Sequence, residues 1–168
     1  LFPVFVQAKA AAKKTASVNN LRQITLAWTL YAADQDGTLM RVRTDGDAGT
    51  GKTIYWWGSW AASTSTLKEE EGLLHPYTKS KGIQSDPSFP SKLQAQMGMT
   101  GYAYNYSYLS PSSYAPPTWA ETPVPVNEGQ MGSPSETIIF ASSARLGGWS
   151  LPLVFEGNTY LEPPTSDY

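Results

Sequence analysis

LFPVFVQAKAAAKKTASVNNLRQITLAWTLYAADQDG, residues 1–37, reads as one long helix in two parts. Leu1, Phe2, Pro3, Val4, Phe5 and Val6 carry no charge. From Gln7 the chain turns rich in Ala and Lys, with Lys9, Lys13 and Lys14. From residue 18 an apolar stripe runs at helical spacing through Val18, Leu21, Ile24, Trp28 and Tyr31. A helix that is apolar at its start and one-sided later belongs in two environments. Its start suits lipid or other helices, and its stripe suits a sheet of its own chain. The expected start is near Val4, because Pro is tolerated in a first helical turn. With chain continuing upstream, Pro3 would lie inside a helix and remove a backbone hydrogen bond. The expected stop is near Asp36, with Gly37 free to take positive φ.

Working outward, composition narrows the function classes. The 168 residues make one domain's worth of chain, enough for a core. Residues 1–37 hold four basic and two acidic side chains, and the remainder holds eight and twelve. A mildly acidic body lacks the cation cluster that neutralises phosphates, which argues against nucleic acid as a partner. Cysteine is absent, so there is no disulfide framework and no thiolate metal site. The apolar run at 1–6 is shorter than the roughly 20 residues that cross a bilayer. It reads as the tail of a longer hydrophobic segment.

Past Gly37 the helical period stops. Residues 38–44 alternate as a short strand, 44–51 form a turn, and 53–60 are β-branched and aromatic, again strand-like. Residues 66–81 suggest a short helix or turn ending at Pro76. GYAYNYSYLS (101–110) alternates as a Tyr-rich strand. Residues 111–134 hold six prolines and are expected to be irregular. ETIIFASS (136–143) reads as a buried strand, and 149–162 as a hairpin around Glu156-Gly157-Asn158. The expectation is α+β: the helix of residues 1–37 packed on a small antiparallel sheet with long loops, in a head spanning 38–168.

Several motifs carry chemistry on paper. GDAGTGKT, running from Gly46 to Thr53, fits the phosphate-cradling pattern G-x-x-x-x-G-K-[ST] in full. That mechanism needs a buried strand before the loop and a helix after it. MRVRT before it is charged and IYWWGSW after it is strand-like, so a surface turn is the ordinary reading. Asp34 and Asp36, with Asp45 and Asp47, could offer oxygen ligands to Ca²⁺, but the spacing is not that of an EF-hand. Carboxylates at a helix C-terminus face an unfavourable dipole, so turn hydrogen bonds or an ion would have to compensate. His75 is the single histidine and builds no catalytic set. Glu69-Glu70-Glu71 reads as a solvated charge run. Asn105-Tyr106-Ser107 fits the glycosylation sequon inside an expected strand. The body aromatics Tyr55, Trp56, Trp57, Trp60, Tyr102, Tyr104, Tyr106, Tyr108, Trp119 and Trp149 would serve as a sugar-stacking platform or as core and interface anchors. Core anchoring is the commoner use. No cofactor and no metal is expected, and the body holds no credible catalytic set.

The helix, with three further stretches, resembles bacterial type IV pilin-like proteins, specifically the group related to type II secretion major pseudopilins. Residues 1–37 are similar to that group's LFPVFAQAREKAR and SNLKQIGLA runs with their Tyr-Asp-Gly ending. LLHPYTKSKGIQSDPSF (73–89) is similar to its LxPYxKSxxIFxCPSDP stretch. GYAYNYSYL (101–109) resembles its Tyr-Asn strand, and SPSETIIFASS (133–143) its PSETxLLAD strand. The resemblance implies a non-enzymatic structural subunit, held in the inner membrane and then polymerised with identical copies into an extracellular filament. It implies that Leu1 to Val6 meet neighbouring helices in the filament, and that Val18, Leu21, Ile24, Trp28 and Tyr31 dock on the chain's own sheet. Many relatives carry Cys near Ser17 and Ser85; this chain has Ser at both, so their helix-to-loop disulfide is absent. The C-terminal His/Asp-Gly pattern of relatives is also missing. Two rival readings are a carbohydrate-binding adhesin using surface aromatics and a nucleotide-binding protein using the loop from Gly46 to Thr53.

Overall fold

The computed structural model describes residues 2–45, 51–61, 63–89, 101–117, 121–147 and 154–161. Helix α1 (Phe2–Asp34) has 33 residues, about 50 Å at 1.5 Å rise per residue. Pro3 lies in the first turn of the described helix. The helix closes two residues before the expected stop. Asp36 itself is left-handed (φ 52°), and Gly37 follows with φ 79°. The Gly37 N–H donates to Ala32 O at 2.8 Å, a Schellman-type closure. A Cβ on Gly37 would lie 2.9 Å from Asn127 Nδ2, so glycine is required twice over.

The chain then builds a four-stranded antiparallel sheet in the order β1 (Arg43–Asp45), β2 (Lys52–Tyr55), β3 (Gly58–Ala61), β4 (Thr66–Lys68). The single strand expected over 53–60 is instead a hairpin, with Thr53 opposite Trp60 and Trp56-Trp57 at the turn. Both indoles are buried there, and a continuous strand would leave one of them on the outer face. Likewise only Arg43–Asp45 of the region beginning at Thr38 pairs as a strand. Leu39, Met40 and Val42 reach the core from irregular backbone instead.

A 3₁₀ turn at Glu69–Glu71 and helix α2 (His75–Thr78) follow. Pro76 opens α2 and does not end it, as its fixed φ suits a first turn. Gly72 lets this segment pass against the Trp turn: a Cβ there would lie 2.5 Å from Gly58 N. Leu73 N and Leu74 N then donate to Tyr55 O and Trp56 O.

Among the described residues, three two-stranded antiparallel pairs follow. β5 (Tyr102–Tyr104) pairs with β8 (Phe140–Ser142), Tyr104 lying opposite Phe140. β6 (Ser112–Tyr114) pairs with β7 (Glu121–Pro123). β9 (Ala144–Gly147) pairs with β10 (Val154–Gly157). The Tyr-rich strand is shorter than its alternation suggests: after Tyr104 the chain turns into helix α3 (Tyr106–Leu109). The hairpin expected within 149–162 is not the one that forms: residues 156–158 make no hairpin turn, and Val154–Gly157 pairs instead with Ala144–Gly147, outside that stretch. The Pro-rich 111–134 region is not irregular throughout, because β6 and β7 form a hairpin within it. The architecture is α+β, a long N-terminal helix with a small antiparallel sheet.

One core joins helix and head. Ile24, Trp28 and Ala32 of α1 pack with Met40, Trp56, Leu74, Tyr102, Tyr104 and Phe140. Tyr104 and Phe140 meet at 5.2 Å between ring centres, and Trp56 and Phe140 at 5.4 Å edge-on.

Candidate assembly surface and its anchor

Two halves of α1 meet different surroundings. Residues 4–15 are exposed without a break. Val4, Phe5 and Val6 are 69%, 72% and 61% exposed, although all are large and apolar. Side chains of residues 1–3 lie outside the described set. The first buried residue of the helix is Ser17, followed by Ile24, Ala27, Trp28 and Ala32. Leu21 and Tyr31 are partly buried against the core.

Four of the five expected docking residues therefore face the head, and Val18 does not. Val18 is 40% exposed. At about 100° per residue, Ser17 lies only about 20° from Ile24 around the helix, whereas Val18 lies about 120° away. Spacing by threes and fours admitted Val18, but angular position excludes it. Leu26 and Leu30, about 40° apart around the axis, are exposed on the outward side of the docked half, and Val18 lies about 120° from Leu30.

The boundary between stem and docked half is a buried polar anchor. Asp86 is 1% exposed. Its Oδ1 accepts from Ser88 N and Ser88 Oγ at 2.8 and 2.6 Å, and its Oδ2 from Ser142 Oγ at 2.7 Å. Ser17 adds a further hydrogen bond to the same carboxylate. Burial pushes the Asp86 carboxyl up, but the Ser88, Ser142 and Ser17 donors outweigh it and hold the group below its ordinary value. Tyr102 Oη lies 3.3 Å from Ser17 Oγ, and Asn20 Nδ2 donates to Ser85 O at 3.5 Å. Position 17 and the 85–86 loop are thus neighbours, joined by hydrogen bonds. A lone Asp beside Pro87 gave no hint of this role, because only the fold brings Ser17, Ser88 and Ser142 to it.

The far end of the docked half is fastened as well. Trp28 Nε1 donates to Tyr104 Oη at 3.2 Å, and Tyr104 Oη donates to Met40 O at 2.8 Å. Asn127 Nδ2 donates to Asp36 O, and Glu128 N to Gly37 O. Tyr77 Oη donates to Asp34 Oδ2 at 3.0 Å, which compensates a carboxylate at a helix C-terminus. Asp36 is exposed, the Asp45 side chain and Asp47 lie outside the described residues, and no group of metal-ligating side chains forms among those described.

The remaining motif residues take structural posts. Lys52 and Thr53 sit in strand β2, where the phosphate-cradling mechanism needs a helix; residues 46–50 lie outside the described set. Lys52 Nζ pairs with Glu71 at 2.5 Å. The acidic run is more than a solvated face. Glu71 also meets Lys68 and Ser59, Glu69 accepts from Gly82 N, and Glu70 pairs with Lys81 at 3.7 Å. Lys52 and Ser59 hold the Glu71 carboxyl down at about 2. Asn105 precedes α3 just past the strand and makes no side-chain capping bond to it; its amide donates to Ile138 O instead. No described helix is long and apolar enough to cross a membrane. Comparison with protein-family models, curated proteins and solved structures finds no match to this chain.

Proposed function

We propose that the chain is a structural subunit of a bacterial extracellular filament of the type IV pilus or pseudopilus kind, with an assembling and not a catalytic role. The observation that carries this reading is the stem: twelve consecutive exposed helical residues, 4–15, beginning with Val4, Phe5 and Val6. Leaving three large apolar side chains in water forgoes about 1.5–3 kcal/mol each. Packing against copies of the same helix recovers it. The Ala-rich stretch from Ala8 to Ala12 lets backbones approach closely, and Leu26 and Leu30 add exposed apolar surface on the outward side of the docked half. Repetition of one such contact by a non-closing rotation yields a fibre. Identical subunits are the partners; the resemblance puts them in the inner membrane before assembly and on the cell surface after it.

The test is assembly of the full-length protein expressed with a filament-assembly system. Negative-stain images are expected to show fibres, and Phe5→Asp is expected to abolish them while leaving the monomer's melting unchanged. Monomers alone from the unsubstituted protein, or fibres indifferent to Phe5→Asp, would count against the proposal.

A further inference from the structure

The stem carries charge as well as apolar side chains, and all of it has one sign. Residues 1–33 hold Lys9, Lys13, Lys14 and Arg22 and no carboxylate. The three lysines are exposed, and none enters an ion pair among the described residues. Packed helices lie about 8–10 Å apart between axes, about one Debye length at physiological salt. Stem-on-stem contact alone sets lysine near lysine, so counter-charge from the chain itself has to come from beyond residue 33. It stands at the other end of α1. Asp34 and Asp36 are exposed there. Exposed Glu128 joins them, because Asn127 Nδ2 donates to Asp36 O at 3.0 Å and Glu128 N to Gly37 O at 2.8 Å. The last turn of α1 has no basic residue, so these carboxylates sit at the negative end of the helix dipole, where a cation is favoured. Tyr77 Oη donates to Asp34, and neither Asp36 nor Glu128 enters an ion pair among the described residues.

Position along and around the helix matches the two ends. Val6, Lys9 and Lys13 lie within about 60° of one another around the axis, and Leu26, Leu30 and Asp34 within about 80°. Both sets run from apolar to charged in the same direction along the chain. A parallel copy displaced by about 23 residues, or about 35 Å, sets Val6 level with the stretch from Leu26 to Leu30 and Lys13 level with Asp36. Asp34 then falls between the levels of Lys9 and Lys13. One displacement therefore satisfies the apolar and the charged contacts together. We propose that the Val6, Lys9 and Lys13 side of the stem docks on the Leu26, Leu30 and Asp34 side of α1 in a second copy displaced by about 35 Å, with Lys9 and Lys13 facing Asp34, Asp36 and Glu128. This rests on the filament reading and adds which parts of which copies meet: nearer copies touch stem to stem, and a farther one presents the end of its helix. The contact is heterologous, so it repeats without closing.

Cysteine is absent from the chain, so introduced thiols read the displacement directly. In fibres of the full-length protein, Val6→Cys with Leu30→Cys is expected to give a ladder of covalent multimers on treatment with a short bismaleimide. Val6→Cys with Val18→Cys is expected to give none, since Val18 lies about 120° around and about 18 Å along the helix from Leu30. Lys13→Glu and Glu128→Lys, both at exposed positions, are each expected to lower fibre mass about tenfold with unchanged monomer melting, because like charges then face each other across the contact. The two substitutions together are expected to restore most of it. A ladder from the Val18 pair equal to that from the Leu30 pair, no ladder from the Leu30 pair, fibres indifferent to either reversed charge, or no restoration by the double swap in a variant that melts normally would each overturn the displacement. Those results leave the filament reading standing, since fibres are present in all of them. Absence of fibres from the unsubstituted protein would remove the filament reading and this contact with it.

Discussion

The two halves of α1 share one backbone and differ in almost everything else. In residues 4–15 every side chain is exposed; from Ser17 to Ala32 the side chains at helical spacing vanish into the head. The comparison teaches that helical periodicity identifies a helix, but the partner decides which residues work. The docked half is held by Ile24, Trp28 and the Ser17–Asp86 anchor, all supplied with partners by the same chain. The stem has apolar residues of equal size and no partner within the described residues of its own chain. The two halves should therefore answer different assays: unfolding for one, assembly for the other.

The sharpest way to break that contrast is to truncate the docked half. Trp28→Ala removes a side chain that is 5% exposed, together with its hydrogen bond to Tyr104, and is expected to cost about 3–5 kcal/mol in urea unfolding. Phe5→Ala removes a similar aromatic ring from the stem and is expected to stay within about 0.5 kcal/mol. Comparable losses for the two would erase the distinction.

Next in size comes the boundary. Asp86→Asn replaces an acceptor-only carboxylate with an amide among hydroxyl donors, and is expected to cost about 1–3 kcal/mol at neutral pH. The pH dependence has a definite sign. A carboxyl whose folded value lies below its unfolded value stabilises the fold above the unfolded value, and that contribution fades as pH falls through the folded one. Asp86 starts from 3.8 and is lowered, so its share is lost below about pH 4. In chemical denaturation from pH 6 to pH 2, Asp86→Asn should flatten the acid end of the stability curve. An unchanged slope would remove Asp86 from the anchor.

A smaller effect is expected at the helix end. Gly37→Ala forces a Cβ into the left-handed region and against Asn127, with an expected cost of about 1–2 kcal/mol by thermal melting. The smallest expected change is on the outward side: Leu26→Ala should leave melting within about 0.5 kcal/mol and shorten or weaken fibres. A large stability loss there would mean that Leu26 is packed by its own chain.

Much of this contrast was legible in the sequence. The helix and its stripe follow from spacing and the apolar start from composition, while docking of the stripe on the chain's own sheet is what the resemblance implies. The error at Val18 came from counting intervals where the angle around the axis decides. Elsewhere, local pattern was overridden by tertiary pairing. Trp56-Trp57 reads as the middle of a strand and is a turn, because burying both indoles requires the chain to reverse. Tyr102, Ala103 and Tyr104 are all buried, so the alternation that suggested a strand carried no facing information. The Asp86 anchor and the Arg43–Glu121 pair join residues 69 and 78 positions apart from Ser17 and Arg43, a separation that no local motif reports.

The central claim concerns the stem, and a helical reconstruction of assembled fibres by electron cryomicroscopy tests it most directly. The account predicts a fibre core in which residues 4–15 of each subunit pack against the same stretch of its neighbours, with the heads outside. Fibres joined head to head with Val4, Phe5 and Val6 facing solvent would contradict it.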